Sequence, residues 1–477
     1  MMSSNHSVIV EKTSLSGTTS HHHSDEGKPV DDFEPEANLQ LKRTLSQFLC
    51  VAAPKIAAGG AQLFTNLLLV RHFGPSRSGV LFVCITAIIL SDAVLGSALD
   101  VAVLKLATSG AGRERLACLE IQKAALMLKI LGCALLAAPI LVFAGPLSTL
   151  LFHKDGDARL LMLSLVSLFA LLVLRSVQTC FQILRKFWLY GAADLLHSLT
   201  KYGGIGVLLA TGWATPISVL TIYAVGPLLV GMALLLTATR EILTARFSWQ
   251  AFGELWSAVK WYLGSAAAAS TNTRIDILLL SALAGTAQAG LFSAAQVVVM
   301  PVQLIGMYLG VVFAPRVMPL WEQGQLSPIF HKFQAWTLGA SLALFGLAFL
   351  LADRATALLL PLSYHGSSAL IVLLLPSALT ALINFPWAVS LLMFAHPRML
   401  LVLELVSLPL LIVLYRLFVV PFGAFGAAAV TSGFAITKTV IYQIIAGRTI
   451  RFGPSRNTPM AAPIEATAGG ARKDPSL

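Results

Sequence analysis

Apolar residues along this chain come in blocks of about 20, separated by short stretches that carry charge, Gly or Pro. A block of that length, coiled as a helix, rises about 30 Å, the thickness of a bilayer's hydrocarbon core. Backbone groups in lipid must bond within the chain, so the blocks predict helices. They lack the alternation of barrel strands, which argues against a transmembrane β-barrel. The pattern places helices at 46–70, 78–106, 121–144, 160–183, 189–211, 216–238, 261–283, 288–314, 334–352, 367–394, 399–420 and 424–446. The connections are short, and none is large enough for a soluble catalytic domain.

Composition supports this picture. Of the 477 residues 57% are hydrophobic and 12% charged, and the mean hydropathy is +0.80. A water-soluble fold has too little polar surface to cover so much apolar material. The net charge of +11 lies between the apolar blocks, which points to membrane topology and anionic lipid and away from nucleic acid. With the N-terminus inside, the cytoplasmic connections hold Arg113, Arg115, Arg185, Lys186, Arg240 and Arg398 among others, against Arg71, Arg77, Lys154, Arg159 and Arg354 outside. Both termini are therefore expected in the cytoplasm. Trp261, Tyr262 and Trp387 are candidate interfacial anchors. Cys50, Cys84, Cys118, Cys133 and Cys180 show no paired spacing and predict neither a disulfide framework nor a metal site.

Four segments follow. Residues 1–44, acidic and rich in Ser and Thr, read as a disordered cytoplasmic tail in which His21, His22 and His23 form an incidental tract. Residues 45–245 and 255–446 read as two six-helix lobes, and 447–477 as a second cytoplasmic tail. The lobes share a repeat: 63–79 aligns with 274–290 at an offset of 211, so that Leu67, Leu68, Leu69, Gly74 and Gly79 fall on Leu278, Leu279, Leu280, Gly285 and Gly290. At an offset of 210 Asp194 falls on Glu404. Six helices per half give both halves one orientation, a parallel repeat with its pseudo-twofold axis along the membrane normal. The expected fold is thus an all-α polytopic membrane protein of about twelve transmembrane helices in two six-helix lobes.

Three stretches carry a resemblance. RHFGPSRSGVLF (71–82), TRIDILLLSALAGTAQAGLFSAAQ (273–296) and PFGAFGAAAV (421–430) resemble segments of the bacterial polysaccharide and O-antigen flippases. Those belong to the multidrug/oligosaccharidyl-lipid/polysaccharide (MOP) exporter superfamily. The resemblance spans about 45–446. It implies two bundles in a V around a cavity, alternating access, and cargo carried on a polyprenyl diphosphate. It also implies a bacterial inner-membrane location and a role in surface or exopolysaccharide biosynthesis beside a polymerase and export machinery.

Intramembrane charge is costly and tends to face a bundle interior. Within the helices lie Asp92, Asp100, Asp194, Asp276 and Glu404, with Lys55, Lys129, Arg175, Lys201, Arg274 and Lys438. A diphosphate needs fixed cations and NH donors, and Arg can grip it bidentately. Arg274, Lys55 and Lys201 are the expected diphosphate contacts. Gln62, Asn66, Asn272, Gln296 and Gln303 are the expected sugar contacts. Asp92, Asp100 and Asp276 are candidates for coupling to a proton or sodium gradient. Against this stands a plain structural role: Asp92 and Asp100 paired with Lys55 or Lys105, Asp194, His197 and Lys201 as a self-satisfied stripe, and Lys129, Arg175 and Lys438 snorkelling to the surface. Pro301, Pro376 and Pro386 are candidate hinges. A multidrug or cation antiporter of the same superfamily is the alternative, and would want an acidic, aromatic cavity. An enzyme, such as a polymerase or ligase of lipid-linked sugars, finds no support: there is no H-E-x-x-H, nucleophile elbow or P-loop, and no cofactor or catalytic residue is expected.

Overall fold

The computed structural model describes residues 56–108, 115–153, 157–184, 186–313, 317, 326–364, 366–394 and 397–452. Lys55, Cys50, the His21–His23 tract, Lys154, Arg185 and nearly all of both tails lie outside them. The described residues form twelve long helices. α1 covers 56–72. α2 runs Pro75–Asp92, passes through a π-helical turn at Ala93–Ser97 and continues as Ala98–Thr108. α3 is Arg115–Val142 and α4 is Ala158–Ile183. α5 runs Phe187–Ser198, a second π turn at Leu199–Gly203, and Gly204–Ala210. α6 is Pro216–Thr237. The second half holds α7 (Trp249–Ala284), α8 (Thr286–Phe313), α9 (Leu326–Leu359) and α10 (Ser367–Phe394). Pro397–Phe452 is one helical stretch broken at Gly423, whose φ of 56° no helix interior holds. It divides into α11 (397–422) and α12 (424–452).

Starts and stops follow local chemistry. Pro75 and Pro216 occupy the first helical position, where a missing NH costs nothing. Thr215 and Ser218 form a capping box, and Asp157 and Ser248 cap α4 and α7 with their side chains. Gly285 ends α7 with φ of 90°. Its repeat partner Gly74 has φ of −70° and begins α2, so the aligned glycines serve different ends. Pro301, Pro376 and Pro386 all sit within continuous helices.

Eight stretches are long and apolar enough to cross a membrane, with α11 and α12 counted together in Leu401–Arg448. α1, α5 and α7 fall outside that set. The described part of α1 is short, α5 is interrupted by its π turn, and α7 is too polar around Ser270–Asp276.

Packing within the first half centres on α4 against α6; in the second, α8 packs on α10, and α7 and α10 on α11–α12. The halves meet along α2 and α8. A Cβ at Gly79 would run into the Thr286 carbonyl, and a Cβ at Gly290 into the Pro75 carbonyl. The two contacts are one contact repeated, since 79 + 211 = 290 and 75 + 211 = 286. Reciprocity of that kind marks a two-fold relation, here within one chain.

The seam is not uniform. Near the α1–α2 turn it is dense: Leu69, Val70, Phe73, Phe292 and Tyr364 are buried in one core with residues of both halves. Sustained packing of α2 on α8 covers Pro75–Asp92 and stops at the π turn. Beyond it, α2 and α3 meet the second half through α7, where Leu99, Val103, Ile121, Leu255 and Val259 cluster. The described halves are therefore joined broadly at one end, and at the other chiefly through α7 among the described contacts.

Candidate functional site

At the joined end a set of hydrogen bonds crosses between halves. Ser78 Oγ and Tyr364 Oη lie 2.8 Å apart, and Tyr364 donates to the Phe73 carbonyl at 3.2 Å. Ser76 and Thr286 hydroxyls are 3.0 Å apart. Arg71 donates Nε to the Leu359 carbonyl at 2.9 Å and a second NH to that of Leu358. Ser281 Oγ donates to the Leu151 carbonyl, and His153 Nε2 lies 3.1 Å from the Ser281 carbonyl. Within the second half, Gln288 Oε1 accepts the Ala424 NH at 3.1 Å, which stitches the Gly423 break to α8. Each such bond is worth about 1 kcal/mol net, so the set makes a closure that several kcal/mol would open.

Inside the first half, charge is matched with charge. Lys129, with 1% of its side chain exposed, donates to Asp100 at 2.6 Å and to Ser176 at 3.1 Å. Arg175 meets Asp92 at 2.8 Å. Gln122 donates to the Ser176 carbonyl at 2.7 Å, and Gln178 to Asp194 at 3.3 Å. These links tie α2, α3, α4 and α5 together. The snorkelling expected of Lys129 and Arg175 does not occur; both turn inward because buried carboxylates await them. The partner of Asp100 is Lys129, a residue not expected in that role. The Arg175–Asp92 pair is incomplete, with Arg175 Nε and Asp92 Oδ1 buried and unpartnered.

Lys201 differs. It lies in the π turn of α5, with its ammonium 4.0 Å from the ring centre of Tyr223 and 4.9 Å from that of Tyr202. It forms no ion pair among the described residues. His197, one turn earlier, has a buried unpartnered Nδ1. The α5 stripe is thus a cation on an aromatic cage and is not self-satisfied.

The second half has one closed network. Glu404, 3% exposed, meets Lys438 at 2.7 Å, Tyr442 at 2.6 Å and Asn272 at 2.6 Å. It joins α7, α11 and α12, and it turns Lys438 inward. Asp276 is as deeply buried, yet its neighbours are amides: Gln296 donates at 2.9 Å and the Ile277 NH at 2.8 Å. No cation pairs with it among the described residues.

Arg274 is half-buried and makes no hydrogen bond or ion pair among the described residues. It lies seven residues before Ser281, hence on the same face of α7. Ser281 reaches Leu151 of the first half, so that face is turned toward the seam. Asp276 is on another face and binds α8. Gln62 is half-buried and Gln303 exposed, and neither makes a side-chain hydrogen bond among the described residues. Asn66 Oδ1 is buried and unpartnered. Asn272 and Gln296 are engaged by Glu404 and Asp276. Trp387 is 4% exposed and donates to Gln334 at 3.1 Å, in keeping with its place well inside a span.

Fold and seam together define an all-helical bundle with eight stretches long and apolar enough to cross a membrane. The likenesses agree. A structure of the lipid II flippase MurJ in an inward closed conformation is similar at a TM-score of 0.67, with 14% identity over 83% of this chain and 87% of that one. An inward-facing multidrug resistance MATE family transporter of the MOP superfamily is similar at 0.61, with 13% identity over 83% of this chain and 96% of that one. A MOP superfamily transporter from Pyrococcus furiosus is similar at 0.59, with 13% identity over 85% and 95%. Among curated protein sequences none matches. A family model described as polysaccharide biosynthesis protein matches residues 113–369, more than half of the chain. The chain belongs to that family.

Proposed function

We propose that this protein is a flippase that carries a polyprenyl-diphosphate-linked oligosaccharide from the cytoplasmic to the periplasmic leaflet by alternating access. The observation that carries the reading is Arg274. It is a cation with no ion pair or hydrogen bond among the described residues, though it feels the Asp276 carboxyl two residues on, and it sits on α7 on the face turned to the other half. A charge so placed in a membrane is costly unless something charged meets it. A diphosphate supplies two negative charges and bidentate acceptors. Family membership and the MurJ-like fold support the cargo class, and the sparser contact at the end bridged by α7 supports an inward-open sense. The joined end then faces the periplasm and both termini the cytoplasm, as the Lys and Arg distribution predicts.

In this reading Arg274 grips the diphosphate, with Lys201 and Lys55 as further cations. Gln62, Asn66 and Gln303 offer uncommitted hydrogen-bonding groups to the sugar. Asn272 and Gln296 can serve it only by leaving Glu404 and Asp276. For ion coupling Asp276 is favoured over Asp92 and Asp100, since a proton or sodium ion there would displace no built-in cation.

The test is complementation of a deletion strain. Loss of the protein leaves lipid-linked repeats in the cytoplasmic leaflet. Arg274→Lys restores much of the export and Arg274→Glu does not, at equal protein levels. Full export by Arg274→Glu would refute the diphosphate grip.

A further inference from the structure

The second half carries a cavity that the transport reading does not use. It opens between α8, α9 and α10, has a volume of about 480 Å³, and is lined by Ile305, Leu309, Phe333, Trp336 and Leu382 with Lys332 among them. Its polar side chains are Lys332 and Thr337. The Thr337 hydroxyl is already spent on the Gln334 carbonyl at 3.1 Å. Lys332 is exposed and has no partner among the described residues.

Position in the membrane follows from α9. The helix begins at Leu326, and its continuous apolar run starts only after Lys332. Trp336 is 78% exposed and sits four residues on from Lys332, on the same face. A Trp beside a Lys at the start of an apolar run marks the headgroup level of a leaflet. Behind them the α9–α10 contact is aromatic, with Phe330 and Trp387 rings 5.2 Å apart and Phe333 and Phe385 5.4 Å apart. α8 runs the other way, so Leu309 lies near Lys332 and Ile305 deeper. The floor is closed: α8 and α10 touch backbone to backbone where a Cβ at Gly306 would meet the Ala381 carbonyl at 2.9 Å. The cavity therefore opens outward to the bilayer.

We infer that this cavity binds an anionic membrane phospholipid, with its phosphate on Lys332 and one acyl chain laid past Phe333 and Trp336 toward Ile305 and Leu382. The lining is nearly all apolar, which suits hydrocarbon and offers nothing to a sugar or a peptide. The single unpaired cation stands at the end where a headgroup would lie, and a cation attracts anionic over zwitterionic lipid. The chain's net charge of +11 favours the same lipid class. The bound lipid bridges α8 to α9–α10 on the outer side of the second half, at the end where the halves are joined least. It would hold these three helices as one body while α8 moves against α2.

Native mass spectrometry of the full chain, released from nanodiscs of phosphatidylcholine with one-fifth phosphatidylglycerol, tests the site. Wild type retains phosphatidylglycerol in excess of its share. Lys332→Gln lowers that preference about fivefold, and Ala340→Trp, which fills the cavity, abolishes retention of the preferred lipid. Gel filtration of each variant confirms folding. Unchanged phosphatidylglycerol retention in both folded variants overturns the inference. Retention of a polyprenyl diphosphate that both variants lose, with phosphatidylglycerol unaffected, also overturns it. Lipid retention is read without transport, so it stands or falls apart from the flippase assignment.

Discussion

The two halves handle buried charge differently. In the first, Lys129 and Arg175 each find a carboxylate, Asp100 and Asp92, within 2.8 Å. In the second, Glu404 is saturated by Lys438, Tyr442 and Asn272, while Arg274 and Asp276, two residues apart, feel each other only at a distance and form no ion pair among the described residues. Helix geometry explains the separation, because residues two apart point to different faces. The lesson is one of division: paired charges hold helices together, and Arg274, without an ion pair among the described residues, is the one proposed to meet cargo. The two ends of the seam differ in the same spirit. One is closed by backbone contact and hydrogen bonds, the other is bridged chiefly by α7 among the described contacts.

This contrast can be broken experimentally. The largest effect is expected at Lys129. Lys129→Ala strands a buried Asp100 and should cost about 3–5 kcal/mol, read as a steep fall in the unfolding temperature in detergent. The double variant Lys129→Met with Asp100→Leu should recover most of it. Next comes Arg274→Glu, which should leave the unfolding temperature nearly unchanged yet lower transport of a diphosphate-linked cargo about 100-fold, the size of two lost charge-assisted hydrogen bonds. If Arg274→Glu unfolds the protein as Lys129→Ala does, the division between holding and binding charges fails.

Gly79→Ala and Gly290→Ala should each cost about 1–3 kcal/mol, because the obstruction is backbone that cannot swing aside. Their matched effects would express the two-fold relation, and a large effect at one alone would contradict it. Smallest is Tyr364→Phe. It removes the hydroxyl that joins Ser78 to Phe73, and should shift the population open at the joined end about fivefold for about 1 kcal/mol. Spin labels placed across that end would report the shift.

Much of the fold was legible in hydrophobic blocks, including the turn at Gly285 and the interruption near Gly423. Helix starts were less so. α7 begins at Trp249 and α9 at Leu326 because amphipathic turns precede their apolar runs and lower the local hydropathy. The helix Ala144–Phe152 was read as a connection, being too short to span. The offset of 211 aligned Gly79 with Gly290 as turn glycines, while their close approach across the halves was not legible. The π turns in α2 and α5 were not legible, because no residue type marks a fifth-residue bond. For the site, sequence named the ionisable residues within the helices and could not pair them. Lys129 lies 29 residues from Asp100, and Lys438 lies 34 from Glu404, separations that only the bundle closes.

The central claim is that Arg274 offers an unspent positive charge to a diphosphate between the halves. Binding of a polyprenyl diphosphate to the purified protein, wild type against Arg274→Gln, tests it most directly. The account predicts affinity about 10–100-fold weaker in the variant, with a shallower dependence on salt. Equal affinity and equal salt dependence in a folded variant would contradict it.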